Sequence, residues 1–203
     1  MTRHLLSVGI NLPAGLPTPT AISIAAMSGR LGFASVHLSE APASDLLQRL
    51  VDAAAPALVV LDPGTQATGV VRVNDLLAVA TERARLDSEG VRRPLQLSVP
   101  ISIGRTMNEA VARADLEPRF ADRHPRDVGI FGTFEQAQEQ VLALARAGVD
   151  DLVLDVPLER DVADVLAQIR ALVVGATPEL VRRPPDEERT VPPPTVFYGT
   201  RDE

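Results

Sequence analysis

The chain has 203 residues, 45% of them hydrophobic and 23% charged, enough to bury a core and unlike the compositions of disordered, collagenous or coiled-coil chains. A formal charge of −7 repels a phosphate backbone, so no nucleic-acid partner is expected. All 20 basic residues are arginine and cysteine is absent, which excludes lysine Schiff bases, a P-loop lysine, thiol nucleophiles and cysteine-held metals.

The opening Met1-Thr2-Arg3-His4-Leu5-Leu6 has the charged head of a signal peptide, but Asn11 and Pro13 break its apolar run and no small-residue cleavage site follows. It is expected to lead into a first strand, in a cytoplasmic protein, and no run reaches the roughly eighteen apolar residues of a membrane span. Leu6, Val8, Ile10 and Leu12 alternate with Ser7, Gly9 and Asn11, the period of a strand. A helix is predicted from Thr20 to Leu31, with Gly32 as its left-handed cap, and a second strand from Ala34 to Leu38. Ser44 can cap a helix over Asp45 to Ala55, and Ala57 to Leu61 reads as a third strand ending at Asp62-Pro63-Gly64. Val73 to Asp87 is expected to be helical, Leu95 to Ile103 a strand, Phe134 to Ala147 a helix, Leu152 to Val156 a strand and Asp161 to Val173 a helix.

Alternating strand and helix predict parallel strands joined by helical crossovers. Five strands are legible. Six of the seventeen prolines fall after residue 176, so residues 1–175 are expected to form one domain and 176–203 an extended tail. Eight strand–helix units in the domain would average about 22 residues, against roughly 30 for a βαβ unit. The sheet is therefore either open or an abbreviated barrel of about five to six strands. In a parallel sheet the loops after the strand ends share one face, which gathers Asn11 to Pro17, Ser39-Glu40, Asp62, Gly104-Arg105-Thr106 and Asp155.

Three phrases occur in order in the C-terminal half: Val99-Pro100-Ile101-Ser102-Ile103-Gly104-Arg105-Thr106 with Glu109-Ala110; Gly129-Ile130-Phe131-Gly132-Thr133-Phe134-Glu135; and Ala147-Gly148-Val149-Asp150-Asp151-Leu152-Val153-Leu154. Together they resemble the end of the barrel of the luciferase-like flavin-dependent oxidoreductases. Gly9-Ile10-Asn11-Leu12-Pro13, and Leu31 to Val36 leading to Ser39-Glu40, resemble that family's first two strands. The likeness covers residues 5–40 and 91–175. It implies a TIM-type barrel, FMN or the deazaflavin F420 as cofactor, and hydride transfer or oxygen activation on a small organic substrate. Two features depart from the family. Glu40 is followed by Ala41 and Pro42 where many members carry histidines, and residues 63–94 lack a counterpart of the Gly-rich phosphate turn. These departures leave a second reading, a catalytically silent flavin binder or structural partner.

Gly104-Arg105-Thr106 supplies close backbone approach, free amides at a helix start and a guanidinium fork, the makings of an anion site. The same residues also read as structure, with Thr106 and Glu109 spaced as a capping box. On the family reading, Arg105 and Thr106 hold the cofactor phosphate, Asn11 and Ser39 line the ring, and Glu40 exchanges a proton. Asp62 and Asp155 are further strand-end carboxylates, and each equally suits a helix cap. His37 suits a satisfied core position or one facing the ligand; His4, His37 and His124 share no metal-ligand spacing, so no metal is expected. Pro100 lacks a ladder donor and implies an edge strand or a bulge; an exposed edge would be covered by a second copy or a longer relative in a homodimer or heterodimer.

Overall fold

The computed structural model describes residues 6–61, 69–90, 93–121, 123–157 and 162–181, those after Val173 as backbone only. In chain order they form β1 (Ser7–Leu12), α1 (Thr18–Leu31), β2 (Ser35–Leu38), α2 (Ser44–Ala54), β3 (Leu58–Leu61), β4 (Val71–Val73) and α3 (Ala78–Ser88). Then come β5 (Leu95–Gly104), α4 (Met107–Ala114), a 3-10 turn (Pro118–Phe120), α5 (Pro125–Val128), β6 (Ile130–Thr133), α6 (Phe134–Arg146), β7 (Asp151–Asp155) and α7 (Val162–Val181). None of the described helices is long and apolar enough to cross a membrane.

All the strand pairs are parallel, in the order β3-β2-β1-β7-β5-β4, with β6 also on β5. Strands near in sequence stand side by side and β7 returns to β1, which is the order around the wall of a (β/α) barrel. Among the described residues no ladder joins β3 to β4, so a seam runs down the wall there. The expected α/β architecture with parallel strands is present, in seven strands rather than five or six.

Alternation along the strands sorts the two faces of this wall. Val8, Ile10 and Leu12 of β1, Val36 and Leu38 of β2, Leu95, Leu97 and Val99 of β5, and Leu152 and Leu154 of β7 are buried in one core. Ile24 and Ala25 of α1, Leu50 of α2, Ala137 and Val141 of α6, and Leu166 and Ile169 of α7 join them. The other parity is mostly small or polar and faces the lumen. Register stacks it in layers: Arg72 beside Gln96, Gln96 beside Asp151, and Asp151 beside Ser7; above them Ser98, Val153, Gly9 and Ser35; above these Pro100, Asp155, Asn11 and His37. A smaller core of Ala110, Ala114, Phe120 and Phe131 lies under α4, where Ser102 Oγ donates to Ala110 O at 2.7 Å.

Local signals place several boundaries where the sequence puts them. Gly32 caps α1 at φ 76°, and the next amide, of Phe33, reaches Ser28 O at 3.0 Å. Gln136 Oε1 accepts from Thr133 N at 3.0 Å at the start of α6, half of a capping box.

Other expectations need correction. Val73 belongs to β4 and the helix starts at Ala78: three strand residues are too few to show a period of two against the helical pattern that follows. Ser44 is the first residue of α2, without a side-chain cap bond. Pro100 does not mark an edge. Its strand is flanked on both sides, and the missing donor falls where pairing with β7 ends at Pro100 and pairing with β6 begins at Ile101. The ends of the ladder are β3 and β4, and Leu58 of β3 is 70% exposed. Helix α7 continues to Val181, beyond the boundary set at residue 175. Residues 182–203 of the expected tail, His4 and Asp62 lie outside the described residues.

Candidate functional site

The lumen holds a cavity of about 1040 Å³, lined on β1, β2, β5 and β7 by residues of the inward parity: Asn11, His37, Gln96, Ser98, Val153 and Asp155. Residues 69–74 around β4, Glu82 and Arg85 of α3, Arg93, Glu117 and Arg119 after α4, and Pro13 and Val156 just past β1 and β7 complete it. A single parity delivers the side chains because strands with both faces covered need only one apolar face when the other encloses a ligand-sized space.

The strand ends converge on Asp155. Asn11 Nδ2 donates to Asp155 Oδ1 at 2.5 Å, across directly paired strands. Arg119 Nη2 donates to Asp155 Oδ2, and Arg119 Nε lies 3.5 Å from Glu117 Oε1. Ser39 Oγ donates to Asn11 Oδ1 at 3.4 Å, fixing which way the amide points. The Asp155 side chain keeps 17% of its surface open and Arg119 keeps 40%. Both face the cavity. One step deeper, Ser35 Oγ is hydrogen-bonded to His37 Nε2 at 2.9 Å. His37 is 3% exposed yet lines the cavity, so the two readings of this residue hold together: a satisfied buried histidine on the ligand side.

Of the residues expected at the site, Asn11, Ser39 and Asp155 come together, with Asn11 and Asp155 lining the cavity. Glu40 is exposed beyond the end of β2 and does not line it. Gly104, Arg105 and Thr106 do not line it either. Their strand runs four residues past Pro100, the partner of Asp155, roughly 13 Å at 3.3 Å per residue.

The start of α4 is already filled from within. Glu109 Oε2 accepts from Arg105 N at 2.7 Å, and Thr106 Oγ1 accepts from Glu109 N at 3.3 Å. A Cβ on Gly104 would lie 2.6 Å from Glu109 Cβ and 2.7 Å from Ala110 N, so this glycine lets the helix, not a ligand, approach the strand. The structural reading of this phrase is present: Thr106 caps α4 and the Glu109 carboxylate turns back to the Arg105 amide.

The arginines of the lumen were not legible. Arg119 meets Asp155 across 36 residues of chain, and no local pattern announces such a contact. Arg85 Nε donates to both Glu82 carboxylate oxygens at 3.1 Å. That guanidinium holds the Glu82 carboxyl below its usual range, and Glu82 in turn raises Arg85 above its own.

No protein-family model matches the chain, and no curated protein matches it. Among solved structures the chain is similar to apo-MsnO8, at 12% identity and a TM-score of 0.57, over 89% of this chain and 100% of that one. It is also similar to (S)-3-O-geranylgeranylglyceryl phosphate synthase from Thermoplasma acidophilum in complex with sn-glycerol-1-phosphate, at 15% identity and TM-score 0.39, over 83% and 93%. A third is a truncated 3-deoxy-D-arabino-heptulosonate 7-phosphate synthase from Thermotoga maritima, at 10% and 0.41, over 84% of each chain. The likeness to apo-MsnO8 is one of fold, a TIM-barrel-like α/β wall.

Proposed function

We propose that this chain is a luciferase-like oxidoreductase that uses a flavin or F420 to act on a small organic substrate. The observation that carries the reading is the lumen. Its volume of about 1040 Å³ suits a cofactor-sized ligand, and Asn11, Asp155 and Arg119 line it where the strands end, the face on which barrel proteins bind ligands. The fold shared with apo-MsnO8, a luciferase-like monooxygenase, supports the same reading, as do the three phrases of the C-terminal half.

The lumen residues fit a flat ring better than the start of α4 fits a phosphate. Val153, Val156 and Pro13 offer apolar faces, while Asn11, Ser98 and Gln96 offer hydrogen bonds at ring edges. A bound flavin or deazaflavin supplies the electron transfer. The chain's own residues bind, orient and exclude water. Asp155 takes the part expected of Glu40: it is the strand-end carboxylate that faces the lumen, and Asn11 and Arg119 hold it in place. We further propose that a second subunit, a copy or a longer relative, covers the open edge at β3.

Fluorescence titration of the purified protein with FMN and with F420 tests the reading. Saturable quenching by one of them is expected, weakened at least tenfold in Asn11→Ala; no binding of either would overturn it. The silent-binder reading draws on one observation, that both Asp155 oxygens are already engaged by Asn11 and Arg119. Binding without turnover of reduced cofactor would select it.

A further inference from the structure

The connection that follows α4 overhangs the rim of the lumen, and one side chain ties it to the strand wall. Over residues 115–121 the backbone bonds stay local: Leu116 N donates to Arg113 O at 3.2 Å, Glu117 N to Ala114 O at 3.0 Å, Phe120 N to Glu117 O at 3.0 Å and Ala121 N to Pro118 O at 3.1 Å. Among the described residues, the polar contact from this stretch to a strand is that of Arg119 Nη2 with Asp155 Oδ2 at the end of β7. Glu117 aims the guanidinium: its Oε1 accepts from Arg119 N at 3.2 Å and lies 3.5 Å from Arg119 Nε. Both side chains line the lumen. On its other side the turn is held by packing. Phe120 is buried edge-on to Phe131 of β6, ring centroids 6.4 Å apart, in the small core that stands apart from the barrel core. Beside it lies a second cavity, of about 170 Å³, lined by Val111 and Ala114 of α4 with Pro118, Phe120, Pro125 and Phe131.

We infer that the turn Pro118–Phe120 is a strap over the lumen: latched by Arg119 on Asp155 it closes the strand-end mouth, and unlatched it swings about Phe120 and opens it. The latch is weak by construction. Arg119 keeps 40% of its side chain open, and an ion pair so exposed favours the paired state by only about two- to fivefold. Salt weakens it further, since the screening length falls to about 3 Å at 1 M. Both states are therefore populated. Unlatching costs no backbone hydrogen bond, because the turn bonds within itself and to the end of α4. The cavity beside Phe120 gives the turn room to shift without repacking the barrel core. The inference rests on the lumen being a ligand site and holds whatever that ligand is.

The chain contains no cysteine, so one introduced thiol reports entry to the lumen without any ligand. In the full chain carrying Ser98→Cys, a lumen position, the rate of labelling by N-ethylmaleimide, an uncharged reagent, measures how often the mouth is open. Adding Arg119→Ala should raise that rate about three- to sixfold, as the closed population is returned to the open state. Sodium chloride at 1 M should raise it in the Arg119 protein and add nothing in Arg119→Ala, and Arg119→Lys should keep labelling slow. A thiol placed outside by Asp52→Cys, an exposed position of α2, should label at one rate throughout. Should Ser98→Cys not fold, Val153→Cys on the same lumen wall takes its place. An unchanged rate in Arg119→Ala, or a rise at the outer thiol as well, overturns the strap. Stopped-flow binding of FMN adds a second readout: Arg119→Ala should speed association and dissociation together, whereas faster dissociation alone would make Arg119 a plain ligand contact and overturn the gate. If neither FMN nor F420 binds, the cofactor reading falls and thiol labelling alone decides the strap.

Discussion

Replacing Gly104 by alanine distinguishes a glycine kept for a ligand from one kept for a helix. Its φ lies outside the left-handed region, so alanine adds no backbone strain and the new contacts decide the outcome. The added Cβ would meet Glu109 Cβ at 2.6 Å, Ala110 N at 2.7 Å and Thr106 O at 2.8 Å. Ordinary carbon contacts lie near 3.5–4.0 Å, so the first turn of α4 must withdraw by roughly 1 Å. Two of the three obstacles are backbone atoms, which no rotamer change relieves. Overpacking of this kind destabilises by about 1–3 kcal/mol, and the reduced freedom of the unfolded chain offsets about 0.4–1 kcal/mol of it. With a urea slope of about 1–3 kcal/mol/M, the midpoint should fall by roughly 0.5–1 M at unchanged slope. Circular dichroism in a urea series measures this, and an FMN titration on the folded protein should show unchanged affinity. An unmoved midpoint with weakened FMN binding would refute the packing argument and return Gly104 to the ligand.

Arg83 makes an enclosed ion pair, with its side chain 11% exposed, Nη2 2.6 Å from Asp150 Oδ2 and a second bond to Gly148 O. Asp150 Oδ2 also accepts from Leu95 N at 2.9 Å at the start of β5. Arg83→Ala should cost about 2–4 kcal/mol by urea denaturation, because a partly buried carboxylate loses its counterion; an effect below about 0.5 kcal/mol would show that water replaces the guanidinium. Glu82 has its folded value depressed by Arg85, so its contribution to stability is complete above the ordinary carboxylate range and is lost as pH falls through the lowered value. Glu82→Gln should therefore flatten the acid limb of the stability–pH curve, and an unchanged limb would refute the pairing. Sedimentation equilibrium at micromolar concentration should report a dimer, weakened by Leu58→Glu on the exposed face of β3; a monomer contradicts the second subunit.

Much of the wall was legible because long strands write their two faces plainly. In β5, Leu95, Leu97 and Val99 alternate with Gln96 and Ser98, and the structure buries the first set in the core and turns Gln96 and Ser98 to the lumen. Short strands do not write enough. Val71–Val73 merges with the helical pattern after it, and Ile130–Thr133, although part of a phrase that resembles the family, has only four residues between two helices. Pro100 shows the limit of reasoning from one missing donor, since an interior strand tolerates it at the point where its partners change.

The site was legible only where topology alone assembles it. Asn11 and Asp155 end adjacent parallel strands, so their meeting follows from strand order. Arg105 also follows a strand end, but β5 is ten residues long and β7 five, and unequal lengths put residues with the same topological address at different heights. Arg119 and Arg93 enter from connections, where sequence periodicity carries no positional information.

The seam between β3 and β4 has a consequence for how the fold breathes. Among the described residues β2, β1, β7 and β5 each have neighbours on both sides, whereas β3, β4 and β6 are held along one side alone. Amide hydrogen exchange should therefore be slowest in the middle of the ladder and quicken toward both ends, with opening free energies falling accordingly. Arg72 stands on one of those loosely held strands, so transient fraying would admit small solutes sideways, near the guanidinium groups, while Asn11 and Asp155 stay anchored to the protected centre.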